Sequence, residues 1–173
     1  MNKRSMMLMG LVLGAGTAQA AEQVVQMRLV TPAGVGQEIG TIRVTNTHYG
    51  ALFTPQLHGL SAGIHGFHLH QKPACGPGTK DGKTVPGLAA GGHFDPRRTG
   101  HHEGPYRRGH LGDLPALYAD AAGDVTTPVL APRLKVKDLK GHSLVIHAGG
   151  DNYSDAPAAL GGGGARVACG VVQ

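Results

Sequence analysis

The chain has 173 residues, a formal charge of +5, 29 glycines, 11 prolines and no tryptophan. That length suffices for one domain with a real core. Abundant glycine and proline with few aromatics argue against a helical protein, and a mild positive charge without an aromatic-interleaved basic stripe argues against a nucleic-acid partner.

Residues 1–20 read as a removable signal peptide. Lys3 and Arg4 give a positive start, residues 6–12 form an apolar stretch too short to span a bilayer, and Ala18-Gln19-Ala20 fits a small-residue cleavage site. The alternative is a hydrophobic first strand. Cleavage would leave residues 21–173 as a single exported domain, and losing the two cations lowers the formal charge from +5 to +3. No later apolar segment is long enough for a span, so no membrane partner is expected after cleavage.

Val25, Met27 and Leu29 alternate with Gln26, Arg28 and Val30 in a first strand, closed at Pro32-Ala33-Gly34. Residues 38–47 follow, with Ile42 and Val44 on alternation, then residues 51–57 and, after Gly63, residues 64–70. Residues 71–112 carry no sustained period and are too many for an ordinary connection. Two sub-loops are expected there, one tied down by Cys75, the other by His93, His102, His110 and Asp113. Residues 114–120, 125–131, 144–147 and 166–172 read as further strands, with a glycine-rich loop over 149–164. No segment has a helical stripe of useful length, so the class is all-β. Cys75 and Cys169, in an exported chain, read as one disulfide, two buried free thiols being the alternative. Closing so long a loop allows roughly 4–5 kcal/mol of stabilisation.

His68-Leu69-His70 puts two imidazoles on one face of an extended strand, which favours a metal ion. His93, His102, His110 and Asp113 follow in a Gly- and Pro-rich run, and four such N/O donors can wrap a second, tetrahedral ion. His147 ends a downstream apolar run. His48, His58, His65, His101 and His142 have no usable spacing partner and read as surface or hydrogen-bonded residues.

These donors sit in ordered motifs: Gly66-Phe67-His68-Leu69-His70, Gly91-Gly92-His93-Phe94-Asp95-Pro96, His102-Glu103-Gly104-Pro105, Gly109-His110-Leu111-Gly112-Asp113-Leu114-Pro115 and Gly164-Ala165-Arg166-Val167-Ala168-Cys169-Gly170-Val171. With residues 144–155 (LVIHAGGDNYSD), they resemble the copper/zinc superoxide dismutases, above all the bacterial exported branch, over nearly all the chain after the leader. That family is itself a standing example of sandwich architecture and of electrostatic steering. The resemblance implies an eight-stranded Greek-key β-barrel or sandwich with long loops, and one copper and one zinc ion per subunit. It implies that His68, His70, His93 and His147 hold copper, and that His93, His102, His110 and Asp113 hold zinc, with the ring of His93 as the bridge. Asp151 matches a carboxylate linking copper and zinc ligands, Arg166 the arginine lining the substrate channel, and Cys75 and Cys169 the intrasubunit disulfide. No ligand is missing.

The implied reaction turns two superoxide anions into dioxygen and hydrogen peroxide. A thiolate-free imidazole set suits copper in both oxidation states, and zinc, without redox chemistry, would hold the loop and His93. A bridging His93 has lost both ring protons and can take one back, so it would deliver one proton of the peroxide, solvent the other. Arg166, always charged and offering a fork of donors, would dock the anion. Lys72, Lys80, Lys83, Arg97 and Arg98 are candidates for a positive funnel. Superoxide is the expected partner; a homodimer stays open, since bacterial members of the family occur as monomers and dimers. A non-catalytic exported copper/zinc-binding protein would favour soft Met or Cys ligands, but only Met27 remains after the leader and both cysteines look paired. A two-metal hydrolase would want more than one carboxylate.

Overall fold

The structure is a computed structural model that describes residues 22–173. The expected signal peptide and Ala21 lie outside the described residues. Eleven strands follow in order: β1 Glu22–Thr31, β2 Gly34–Thr47, β3 Gly50–Leu57, β4 Gly63–His65, β5 Phe67–His70, β6 Gly78–Lys80, β7 Lys83–Val85, β8 Leu117–Ala119, β9 Val129–Ala131, β10 Ser143–His147 and β11 Arg166–Val171. The only helical pieces among the described residues are short 3-10 turns, at Leu88–Ala90, Val136–Asp138 and Ala159–Gly162.

Seven strands form one antiparallel sheet in the order β5-β10-β11-β1-β2-β3-β9. β1, β2 and β3 are successive neighbours, and β11 returns from the far end of the chain to lie beside β1. That is the Greek-key order, a late strand placed next to the first of three consecutive ones. The all-β class and antiparallel architecture are therefore as the sequence implies, although the strands are more finely divided. The main core packs the inward side chains of these strands: Met27, Ile42, Val44, Phe53, Phe67, Leu69, Leu144 and Ile146 are fully buried. Each such side chain contributes roughly 1.5–3 kcal/mol by leaving water. Phe53 and Phe67 meet edge to face with centroids 5.5 Å apart, a favoured aromatic geometry. A smaller cluster, Val30, Cys75, Ala90, Val145 and Cys169, surrounds the Cys75–Cys169 disulfide.

Four expectations need correction. The alternation of β1 does not run to its end: the pairing with β2 shifts register around Arg28, and Val30 rather than Leu29 is buried beyond it. An irregularity of one residue exchanges the two faces of a strand. Residues 64–70 are two strands in different sheets, β4 pairing with β8 and β5 with β10. Gly66 is the break; its N–H donates to the carbonyl of Gly149 (2.7 Å) and its carbonyl accepts from the N–H of His147 (2.8 Å). Nor are residues 71–112 featureless. The β6–β7 hairpin and the Leu88–Ala90 turn lie within the first sub-loop. Finally, the runs 114–120 and 125–131 form shorter strands than read, β8 covering three residues and β9 three, with Val125 joined to Leu57 by an isolated bridge.

Candidate metal centre

β5 is the edge of the large sheet, and its two faces are sharply divided. Phe67 and Leu69 point into the main core, so by alternation His68 and His70 point to the opposite face. On its inner side β5 pairs with β10, which ends in His147. Its free edge is taken by the long loop: Phe94 N–H donates to Leu69 O (2.8 Å) and Leu69 N–H to Gly112 O (2.9 Å). These contacts set His93 opposite His70 and Asp113 opposite His68. A loop without sustained period is thus carried, by backbone bonds to one strand edge, to the face where the paired imidazoles stand.

Two four-residue donor groups result, each with its ligand atoms within 4.8 Å of one another: His68, His70, His93 and His147, and His93, His102, His110 and Asp113. All seven residues are buried, and His93 belongs to both groups. Six ring nitrogens are buried without any hydrogen-bond partner: His68 Nδ1, His70 Nε2, His93 Nε2, His102 Nδ1, His110 Nδ1 and His147 Nε2. Orphaned polar atoms at this density are costly unless something else satisfies them. In the first group the opposite nitrogen is engaged in every ring, that of His93 by Asp113 Oδ1 (2.9 Å). His70 Nδ1 faces Gly91 O (2.9 Å), His147 Nδ1 faces Gly164 O (3.2 Å), and His68 Nε2 faces Asp151 Oδ2 (2.8 Å). In these last three rings, donating from that nitrogen fixes the tautomer and leaves a lone pair on the orphaned one, as metal ligation needs.

In the second group, Asp113 Oδ1 lies 2.9 Å from His93 Nδ1, 3.0 Å from His102 Nδ1 and 3.3 Å from His110 Nδ1. The last two are not aligned for hydrogen bonds. Bonds of about 2.0 Å in a tetrahedron have edges of about 3.3 Å, so these spacings suit donors around one small cation. The donor chemistry fits as well: four imidazoles for copper, three imidazoles and a carboxylate for zinc.

Electrostatics separates the halves. Burial, with the neighbouring imidazoles, lowers the His68 ring to about 3, and burial lowers His147 to about 4. His70 and His93 are lowered too, chiefly by burial. These rings are neutral at pH 7. His102 goes the other way. Burial opposes its charge, but the carboxylates of Asp113 and Asp151 on its two sides raise it to about 9. Both carboxyls are in turn held well below their usual range; burial works against this, and the rings of His102 with His93 or His68 overcome it.

Asp151 connects the halves directly, accepting from His68 Nε2 and His102 Nε2 at 2.8 Å each. Gly161, with φ +73°, closes over it: a Cβ there would collide with Asp151 Oδ1 and sit 2.8 Å from His102 Nε2. Arg166, at the start of β11, donates to Gly87 O and Gly91 O, both at 2.6 Å. Its guanidinium borders a cavity of about 300 Å³ together with His70, His93, His147 and Lys80. Of the five cations suggested for a funnel, Lys80 borders this cavity; Arg97 lines another.

The sequence reading missed two supports. His65 reads as a routine histidine, yet it is buried, with Nδ1 2.7 Å from the carbonyl of His147 and Nε2 2.8 Å from that of Ser61. Asp155 accepts from the N–H of His102 (2.8 Å) and of Leu160 (3.1 Å), tying the zinc-side loop to the glycine-rich one. Neither carried a spacing signal; their roles arise from segments far apart in sequence.

Comparison with known proteins agrees. The family described as copper/zinc superoxide dismutase (SODC) matches residues 38–172. The Escherichia coli (strain K12) superoxide dismutase [Cu-Zn] is 52% identical over 174 residues, covering 100% of both chains. Superoxide dismutase [Cu-Zn] 1 of Salmonella typhimurium (strain 4/74) is 60% identical over 151 residues, 86% of this chain and 85% of that one. Among solved structures, the Cu/Zn superoxide dismutase from Brucella abortus superposes with a TM-score of 0.87 at 51% identity, over 88% of this chain and 100% of the other. Likeness of this extent leaves one assignment: the chain belongs to the copper/zinc superoxide dismutase family.

Proposed function

We propose that this chain, exported to the periplasm as a single domain of residues 21–173 after removal of residues 1–20, converts superoxide to dioxygen and hydrogen peroxide. The observation that carries the reading is His93, a member of both donor groups, with Nε2 unpartnered and Nδ1 beside Asp113. When bound, copper at His68, His70, His93 and His147 would supply one-electron exchange with the substrate, and zinc at His93, His102, His110 and Asp113 a fixed positive charge without redox chemistry.

The chain's own residues do the rest. As a shared ligand the His93 ring would carry no proton, so Nε2 is the atom that could take one up and hand it to the peroxide formed when superoxide is reduced; water would supply the second. The balance closes, two superoxide anions and two protons giving one dioxygen and one hydrogen peroxide. Arg166 has two donors anchored on Gly87 and Gly91 and its charge on the cavity wall. That arrangement suits docking of a small anion beside His70, His93 and His147. The anchors are themselves braced, since Ala89 N–H donates to Gly76 O (3.0 Å) and Lys72 N–H to Ala90 O (3.0 Å), within the sub-loop that Cys75 ties to Cys169. Lys80 adds a second positive charge at the cavity mouth, favouring an anionic substrate. Asp151 orients His68 and His102 together.

Pulse radiolysis of the processed protein, after copper and zinc quantification, tests the reading. Superoxide should decay in proportion to copper content, approaching the diffusion ceiling of ~10⁸–10⁹ M⁻¹s⁻¹. Full metal content without superoxide consumption would make the chain a metal-binding protein instead. A periplasmic extract should yield a chain starting at Ala21; one that keeps Met1 would remove the export claim.

A further inference from the structure

The zinc-side loop has a support that the motifs do not reveal. Residues 101–110 contain no helix or strand, and their carbonyls need partners from elsewhere. Four of them turn to a single guanidinium. Arg133 Nε donates to Pro105 O (2.9 Å), Nη1 to Gly109 O (3.0 Å), and Nη2 to Gly104 O (3.0 Å) and His110 O (2.5 Å). None of the carbonyls of Gly104, Pro105 and Gly109 accepts a backbone N–H among the described residues; that of His110 receives one long contact, 3.4 Å from Asp113 N–H. Arg133 itself is not free to follow the loop. It stands just after β9, between Ala131 and Leu134, which are both buried in the main core.

We infer that Arg133 is a positioning residue for the zinc half of the centre: its guanidinium, fixed to the barrel, sets the backbone of residues 104–110 and through it the ring of His110. This rests on the reading of His93, His102, His110 and Asp113 as the zinc site. Arginine suits the task because its planar fork can satisfy several carbonyls at once in fixed directions, whereas a lysine offers one ammonium point. The copper half does not share the device. His68, His70 and His147 stand on paired strands, and none of their backbone groups meets Arg133.

Charge alone predicts the opposite effect. A cation near the site repels a second cation, so removing Arg133 should tighten zinc binding if the guanidinium acts only through its charge. If it acts by positioning, removal should weaken binding. The experiment measures zinc transfer from the copper- and zinc-loaded protein to a chromogenic chelator, for wild type, Arg133→Met, Arg133→Lys and, as a control at a distant carbonyl contact, Arg28→Gln; Arg28 donates to Gly36 O at 2.9 Å. Arg133→Met should lose zinc affinity by ~10–100-fold, the range seen when outer partners of metal ligands are removed. Arg133→Lys should fall between it and wild type, and it keeps the test alive if Arg133→Met does not fold. Copper affinity, and zinc affinity in Arg28→Gln, should stay within about twofold of wild type. Hydrogen exchange should quicken at the His110 amide, which bonds His101 O at 2.9 Å, with the β5–β10 amides unchanged. Equal or tighter zinc binding in Arg133→Met, a lysine variant as tight as wild type, or parallel losses of copper and zinc would each overturn the inference. A wild-type protein that takes up no zinc would sink the zinc-site reading itself, and the inference with it.

Discussion

The two halves of the metal centre hold similar ligands by different means. Three of the copper-side histidines stand on strands: His68 and His70 on β5 and His147 on β10, joined by a regular antiparallel ladder with His68 opposite Val145. On the zinc side, Asp113 is bridged to the edge of β5 opposite His68, but His102 and His110 lie outside every strand and helix and are placed by side-chain bonds to Asp155, Asp151 and Arg133. A ladder positions its side chains as part of the fold, while a loop must be positioned contact by contact. The copper half should therefore be preformed and the zinc half more dependent on its ion. His93 is where the two constructions meet.

The largest effect is expected at that meeting point. His93→Ala removes a donor from each group and the proposed proton carrier. Activity should fall by roughly 10²–10⁴-fold from the lost proton transfer alone, and zinc and copper contents of the purified protein should drop together. Loss of copper with zinc retained at full occupancy, by metal analysis, would show that the halves are not joined through this ring.

The same contrast explains what could be read from the sequence. His68-Leu69-His70 was legible because a strand's period of two puts alternate residues on one face, and the loop donors because their motifs are contiguous. The strand break at Gly66 was not, since residues 64–70 remain one apolar-rich run and only the pairing partners, β8 and β10, differ. The face exchange near Arg28 depends on register with β2, which no local pattern encodes. His65 and Arg133 are single polar residues with ordinary neighbours; what distinguishes them is the set of carbonyls that folding brings to them. The ligands were thus visible as motifs, and Asp151 with them through the resemblance, whereas His65, Asp155 and Arg133, which hold the backbone of ligands, were not.

Asp151→Asn probes the link between the halves. An amide can accept from one ring nitrogen with its oxygen, but its NH₂ then faces the other ring's donor. Zinc affinity should fall by ~10–100-fold through lost orientation of His102, with a smaller loss of copper affinity because His68 stays on its ladder. Equal losses on both sides, measured by chelator competition, would mean that the strands give His68 no independent support. Arg166→Ala should leave both metal contents intact and lower the rate by about tenfold, with a flatter dependence on ionic strength, as expected when a steering and docking charge is removed. An unchanged rate and salt slope would take Arg166 out of substrate docking.

The most discriminating effect is in pH. On the copper side, the rings of His68 (lowered to about 3), His70 and His147 (lowered to about 4) have already shed their protons in the metal-free protein at pH 6–8. An ion entering there displaces none from these rings. On the zinc side, His102 is raised to about 9 between Asp113 and Asp151, so it still holds a proton that the ion must displace. Metal affinity falls when a ligand must first lose a proton. Zinc affinity should therefore rise by about tenfold per pH unit up to about pH 9 and then level off, while copper affinity changes much less over pH 6–8. The raised His102 also favours the metal-free fold below its unfolded value near 6.5, and that contribution disappears as pH climbs through about 9. The depressed carboxyls of Asp113 and Asp151 contribute above about 3.8 and lose their effect as the pH falls further. Calorimetric titrations in buffers of different ionisation enthalpy count the released protons directly. Parallel pH slopes for the two ions would mean that the carboxylates do not hold His102 charged, and the electrostatic difference between the halves would go with it.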